Sequence, residues 1–121
     1  MHNVDLSGLA KSLYERRHTG IIVPYQPHRA TGWMPSQRWC HSNVHRFVRE
    51  NVGRKAVGGW LVLNWVRRFT AYSVIEDANG WLFDITPSRA SQRYPFIRHD
   101  GPEDEFEALT RIVHLDYPNR D

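Results

Sequence analysis

The first half of the chain carries two stretches whose apolar residues recur every three or four positions, which is the spacing of one face of an α-helix. In the first stretch they are Leu6, Leu9 and Leu13. Asp5 can cap the start of this helix and Gly20 can end it, so the pattern predicts a helix over residues 6–18. In the second stretch the apolar residues are Cys40, Val44, Phe47 and Val48. With Ser36 as the N-cap, they predict a second helix over residues 37–51.

The middle of the chain has the patterns of β-strands. Strands are predicted over residues 60–66, 69–76 and 81–86, with shorter edge strands over 21–23 and 94–98. The first of the long strands is apolar on both faces, as in a strand at the centre of a sheet. Asn79-Gly80 separates the other two long strands and favours a hairpin, because this pair tolerates the positive φ of a tight turn.

A third helix is predicted to start near Pro102. Its first turn is acidic, whereas Arg111 and His114 lie near its end, and this order of charges complements the helix dipole. Together the elements predict an α+β fold in which helices pack on a small antiparallel sheet. A chain of 121 residues fits a single domain over residues 1–121.

The composition excludes several classes of protein. No apolar run approaches the roughly 20 residues that cross a bilayer, and the first residues lack the pattern of a secretory signal. We therefore expect a cytoplasmic protein with no membrane partner. Cys40 is the only cysteine, so an internal disulfide and a cysteine-rich zinc site are excluded. His41 and His45 lack a clear third metal ligand, and Gly58-Gly59 precedes a strand rather than a helix, so we expect no metal and no nucleotide cofactor.

Charge is divided unevenly along the chain. Residues 1–99 carry 14 basic and 6 acidic side chains, whereas residues 100–121 carry 2 and 7. Arginine suits bidentate binding of phosphate, so a basic nucleic-acid-binding module is one class to consider. The arginines are scattered and no block of like charges occurs, so this partner is not favoured.

Cys40 offers the clearest chemistry. It lies at the start of the predicted second helix, where unpaired N–H groups and the helix dipole favour a thiolate. Asp84 is the only acidic residue within the last of the long predicted strands. A cysteine at a helix start, followed by strands that bear a base and an acid, is the arrangement of papain-like and transglutaminase-like thiol enzymes. The alternative is that Cys40 is a small core residue beside Val44 and Phe47.

Four short motifs extend this arrangement over residues 40–98. They are Cys40-His41-Ser42-Asn43-Val44, Gly59-Trp60, the stretch from Ala71 to Asp77, and Asp84-Ile85-Thr86-Pro87. They resemble the pattern C-H-x-N-V, G-W, H-x-V, D-G, D-[IV]-T-P of a small uncharacterised bacterial family, and the arrangement is also similar to the transglutaminase-like core. The resemblance implies a papain/transglutaminase-like fold and a thiol-dependent hydrolase or acyl-transfer activity. It further implies that Cys40 is the nucleophile and Asp84 the acid that orients the base.

Tyr72 stands where the family pattern has a histidine. A phenol with a pKa of about 10 is a poor base for a thiol, although it could donate a hydrogen bond to a developing oxyanion. Either another histidine replaces it, or catalysis is lost and the same fold binds a protein or peptide. His41 is a weak replacement, because it is expected to point away from the side that Cys40 faces. The other candidates are His28, His45, His99 and His114.

Other residues near these motifs each have two interpretations. Asn43 lies one helical turn after the cysteine and could orient a substrate, or it could form structural hydrogen bonds. Trp33, in a proline-rich loop, is expected to line a cleft, whereas most of the other four tryptophans are expected in the core. Asp84 could instead cap the hairpin or pair with Arg67 or Arg68.

Overall fold

The computed structural model describes residues 4–28, 32–64, 67–112 and 114–118. Helices lie at α1 (Leu6–Glu15), α2 (Cys40–Glu50), α3 (Ala90–Arg93) and α4 (Glu103–Leu109), and a 3-10 helix (Arg17–Thr19) follows α1. Strands lie at β1 (Lys55–Asn64), β2 (Arg68–Glu76), β3 (Leu82–Phe83), β4 (Phe96–Arg98) and β5 (Leu115–Asp116). The strands pair antiparallel in the order β3-β2-β1-β4, and β5 pairs with the start of β2. The predicted α+β fold, with helices on an antiparallel sheet, is confirmed.

The two long helices begin in different ways. Asp5 caps α1 as predicted, because its Oδ1 atom accepts a hydrogen bond from the backbone N–H of Gly8 at 3.0 Å. The predicted cap of α2 at Ser36 is wrong. That helix starts three residues later than predicted, after Trp39, whose side chain forms no capping bond. Ser36 is instead bound through its backbone by the side chain of Asn43.

The last helix is shorter than predicted. α4 ends at Leu109, so Arg111 and His114 lie beyond it. The chain then turns to pair as β5, and Leu115 is buried opposite Phe69. Pairing with a distant strand therefore outweighs the local charge pattern that favoured a longer helix.

β1 begins five residues before its predicted start, because Gly58 and Gly59 belong to the strand rather than precede it. Two aromatic rings occupy the space that side chains at these positions would fill. The ring of Phe106 lies over Gly58, and the ring of Phe96 lies over Gly59. The glycine pair is therefore a packing feature of the sheet, which lets aromatic rings approach the backbone.

Residues 21–26 bridge the two edges of the sheet. Ile21 exchanges both backbone hydrogen bonds with Phe96 of β4, at 3.0 and 2.7 Å. Asp84, just after β3, donates its N–H to the carbonyl of Pro24 and accepts from the N–H of Gln26, each at 2.8 Å. The sheet therefore curls on itself. The predicted strand over 21–23 is in fact a single bridge at Ile21, and the predicted 81–86 strand leaves β2 at Asp84 to pair with this segment.

Buried clusters lie on both faces of the curled sheet. The curl encloses Val23, Val57, Leu61, Tyr72, Val74 and Phe96. α1 and α4 cover the alternate side chains of the strands, among them Trp60, Val62 and Phe69. α2 packs Val44 and Phe47 against Ile75 and Phe83. No helix in the described ranges combines the length and apolar character needed to cross a membrane.

Candidate thiol site

The structure brings together the three residues that the resemblance assigns to catalysis. Cys40 is the first residue of α2, is 9% exposed, and packs in the same buried cluster as Tyr72 of β2. The Tyr72 hydroxyl donates a hydrogen bond to Oδ2 of Asp84 at 2.9 Å. The site thus runs from the start of a helix, through a phenol on a strand, to a buried carboxyl group.

Asp84 is held by hydrogen-bond donors alone. Its side chain is 0% exposed. Besides Tyr72, the hydroxyl of Ser91 donates to Oδ2 at 2.6 Å and the backbone N–H of Thr86 donates to Oδ1 at 3.0 Å. Burial nevertheless raises the pKa of Asp84 above the usual carboxyl range, because these neutral donors only partly replace the lost hydration of the charge.

The alternative interpretations of Asp84 are wrong. Asp77 caps the hairpin, since its Oδ1 atom accepts from the N–H groups of Asn79 and Trp81 at 2.8 and 3.0 Å. Arg68 is bound to Asp116 at 2.8 Å, and Arg67 is exposed. Asp84 therefore belongs to the thiol site and to its hydroxyl network.

The Cys40 thiol is protonated at neutral pH. Burial raises its pKa to about 11, and the negative charge of Asp84 acts in the same direction. Backbone hydrogen bonds from Ser73, His41 and Cys40 itself lower the pKa, as expected at the start of a helix, but burial outweighs them. The helix start alone therefore does not produce the thiolate that the sequence pattern favours.

Tyr72 is a neutral phenol. Burial raises its pKa well above the ordinary value of about 10, and the neighbouring Asp84 raises it further. Because the phenol keeps its own proton at neutral pH, its oxygen is too weakly basic to take the proton of Cys40. A hydrogen bond from Tyr72 to an oxyanion would require its hydrogen bond to Asp84 to break first.

His41 does not point away from the site, and that prediction is wrong. It lines the same cleft as Cys40 and Tyr72. Its Nδ1 atom lies 2.5 Å from the hydroxyl oxygen of Ser73, and its ring packs edge-on against Phe106. Burial, with a smaller effect from His45, lowers its pKa to about 4, so the imidazole is neutral but weakly basic.

The other candidate histidines that pack in the fold have different partners. His99 accepts a hydrogen bond from the Trp60 indole at 3.2 Å and meets Glu105 at 2.8 Å. His45 lies 3.5 Å from Glu107. The His28 ring packs at an angle against Trp33 and edge-on against Phe47. Within the described ranges, His41 is the histidine that lines the cleft beside Cys40.

An open cleft of about 420 Å³ lies beside Cys40 and Tyr72. Its apolar walls come from Leu61, Leu63, Ala71, Ala90 and Ile112. Its polar lining includes Gln37, Arg38, Thr70 and Thr110. Trp39, which precedes Cys40, is 64% exposed at this cleft.

The two residues predicted to bind substrate lie together outside this cleft. Trp33 and Asn43 line a neighbouring cavity of about 410 Å³, which shares Trp39 with the first. The Asn43 amide binds the backbone of Ser36 and the hydroxyl of Thr86, which ties the residues before α2 to those after Asp84. The Trp33 indole donates to Glu50 at 2.9 Å. In this structure both side chains make structural contacts.

Sequence reasoning missed two residues of the site. Ser91 is buried in the four-residue helix α3 and binds Asp84, but its position seven residues after the acid carries no signal in the sequence. Most of the tryptophans other than Trp33 are predicted to lie in the core, but Trp39 and Trp81 are 64% and 73% exposed. Trp60 is fully buried as expected, and Trp65 lies outside the described residues. The position of Trp39 directly before Cys40 was the one available signal.

Compared with known protein families, curated proteins and solved structures, the chain matches none of them. In the described part of the chain, no group of three or more histidine, cysteine or acidic side chains is placed to hold a metal ion.

Proposed function

We propose that the chain is a papain/transglutaminase-like module that binds a protein or peptide segment beside Cys40 and does not catalyse a reaction on it. One observation carries this proposal: the hydrogen bond of 2.9 Å from the Tyr72 hydroxyl to Asp84. It supports the proposal because a neutral phenol that donates to a carboxyl group is not a base for a thiol.

The protonation states of the site argue against turnover. A thiol with a pKa of about 11 is ionised in only about one molecule in 10⁴ at pH 7. Tyr72 is a neutral phenol at pH 7, because its pKa is raised, and its hydroxyl donates to Asp84, so it is not a base for the thiol. His41 has a pKa of about 4, which is too low for a strong general base at neutral pH.

The cleft has the composition of a recognition site. Ligand clefts are lined mainly by apolar side chains with a few polar groups that fix orientation, and this cleft has both. Trp39 is large and exposed at its rim, and tryptophan is enriched among the residues that dominate binding energy. An extended peptide could lay apolar side chains against Leu63 and Ile112 while its backbone meets Gln37.

A random-peptide phage library panned on the immobilised protein tests this proposal. We expect selected peptides to lose binding to the Trp39→Ala variant and to keep binding to the matched Trp81→Ala variant. Both tryptophans are largely exposed, so neither change should unfold the protein, but only Trp39 lies at the cleft. Selected peptides should also be recovered intact after long incubation. Peptides that bind both variants equally, or a library that yields none, would contradict the proposal.

A thiol-dependent hydrolase or acyl-transfer activity is the second candidate, because the backbone groups of Ser73, His41 and Cys40 do favour the thiolate. It predicts a burst of nitrophenol from p-nitrophenyl acetate and an acetyl group on Cys40 by mass spectrometry. Steady turnover that disappears in Cys40→Ser would replace the binding proposal with this one.

A further inference from the structure

The hydroxyl group of Ser91 lies between two acceptors. Its oxygen is 2.6 Å from Oδ2 of Asp84 and 3.2 Å from the carbonyl oxygen of Val23. All three residues are 0% exposed. A serine hydroxyl has one proton, so Ser91 can donate fully to only one of these acceptors at a time.

The protonation state of Asp84 decides which acceptor receives that proton. When Asp84 is ionised, Tyr72 and Ser91 both donate hydrogen bonds to Oδ2. The carbonyl of Val23 then receives no hydrogen bond from the Ser91 hydroxyl. When Oδ2 carries a proton, the acid donates it to the oxygen of Ser91, and the Ser91 hydroxyl turns to the carbonyl of Val23. Tyr72 can then turn toward the hydroxyl of Ser88, 3.5 Å away. Atoms and charges balance with one proton added at Asp84.

Val23 lies at the middle of residues 21–26, which bridge the edges of the sheet. Its N–H also donates to the carbonyl of Ser91, at 3.3 Å. Ser91 therefore binds this segment through both its backbone and its side chain, and the side-chain bond is the one that depends on Asp84.

We propose that Ser91 is a positioning residue that couples protonation of Asp84 to the binding of residues 21–26. The segment is held more tightly when Asp84 is a neutral acid and more loosely when it is a carboxylate. This coupling does not depend on what the cleft binds.

The surroundings of Asp84 set the direction of the pH dependence. The titratable groups that face it are Tyr72 from β2 and Cys40 from α2. The bridging segment contributes Tyr25, whose ring lies 4.6 Å from the guanidinium of Arg89 at the start of α3. Burial raises the pKa of Asp84, so the change occurs above the normal carboxyl range of about 4. The segment should therefore loosen as pH rises through the pKa of Asp84.

Hydrogen exchange of the backbone amides of Val23 and Gln26, measured by NMR from about pH 4 to 9, tests the coupling. After correction for intrinsic exchange, we expect protection to fall about fivefold, the equivalent of one hydrogen bond. The fall should follow the ¹³Cγ shift of Asp84 in protein with labelled aspartate.

Three variants make the result specific. Ser91→Ala should abolish the pH dependence while Asp84 still titrates, and Asp84→Asn should keep protection high at every pH. Ser7→Ala is the matched control and should behave like the parent, because Ser7 is exposed on α1. Constant protection while Asp84 titrates, an Asp84 that does not titrate in this range, or pH dependence that persists in Ser91→Ala would overturn the proposal. If Ser91→Ala does not fold, Asp84→Asn alone decides the question.

Discussion

The protonation of Cys40 can be measured directly, because it is the only cysteine in the chain. We expect the native protein to react slowly with a small disulfide, such as hydroxyethyl disulfide, at neutral pH. The mixed disulfide at Cys40 can be followed by intact-mass spectrometry. The protein unfolded in guanidinium chloride supplies the reference rate for the same cysteine without its burial.

The expected effect follows from the pKa. With a pKa of about 11, the thiolate fraction at pH 7 is about 300-fold lower than for a free cysteine with a pKa of about 8.5. A more basic thiolate is intrinsically more nucleophilic, which recovers a factor of about 10 for this difference. A deficit of about 30-fold remains. Because the side chain is only 9% exposed, limited access should increase this deficit further.

The pH profile separates ionisation from access. Limited access lowers the rate by the same factor at every pH, whereas a raised pKa moves the whole profile. We expect the native rate to rise about tenfold for each pH unit up to at least pH 10, while the unfolded reference levels off near pH 9. Circular dichroism at each pH confirms that the native samples remain folded. A native profile that levels off below pH 9 would refute the argument that burial keeps this thiol protonated.

Three other changes test the surroundings of the site. Tyr72→His should lower the pKa of Cys40 and speed its disulfide exchange at pH 6–7, at a cost of about 1 kcal/mol in stability, whereas Tyr72→Phe should not speed the reaction. If the pH profile of Cys40 in a folded Tyr72→His variant is identical to that of the parent, residue 72 lies away from the thiol. Gly58→Ala should lower the free energy of unfolding by about 1–3 kcal/mol in urea titrations, because the new methyl group meets the ring of Phe106. Adding Phe106→Leu should restore part of this loss, whereas a loss below about 0.5 kcal/mol in Gly58→Ala would contradict the packing. The pKa of His41 is lowered to about 4, so as pH falls from about 6.5 to 4 this histidine is protonated in the unfolded chain before it is protonated in the folded protein. The free energy of unfolding should therefore drop by about 1–2 kcal/mol over this range, after allowance for solvent screening of this partly exposed ring. An unchanged pH slope in His41→Gln would show that other groups cause the drop.

The elements with a strong local pattern could be predicted from the sequence. The spacing of Leu6, Leu9 and Leu13 and the cap at Asp5 gave α1, and the apolar runs gave β1 and β2 with the hairpin that follows. These features depend on contacts between residues close in the chain. The motifs also placed Cys40, Tyr72 and Asp84 in one site, although they could not give the protonation states, which depend on burial in the finished fold.

The features that sequence reasoning missed depend on contacts between distant residues. The curl of the sheet needs Ile21 beside Phe96, and no local pattern reports that pairing. The prediction for His41 is wrong because it considers only the angle of about 100° between successive residues around the helix axis. It does not include the neighbouring sheet, where the Ser73 hydroxyl lies within hydrogen-bond distance of the His41 ring. Ser91 was missed because α3 is a helix of only 4 residues, which is too short to show a periodic pattern.

The bridging segment at residues 21–26 also bears on the order in which the chain folds. Its partners, Asp84 and Phe96, follow α2, β1 and β2 in the chain, so a long loop must close before the segment can pair with them. Contacts of high sequence separation form slowly, because the entropy of closing the loop is lost before the contact stabilises the chain. The β1–β2 hairpin is local and is expected to form first, and closure of the curled sheet is expected to be a late step. During synthesis, this segment emerges before the strands that bind it, so it stays unpaired until Asp84 and Phe96 have followed.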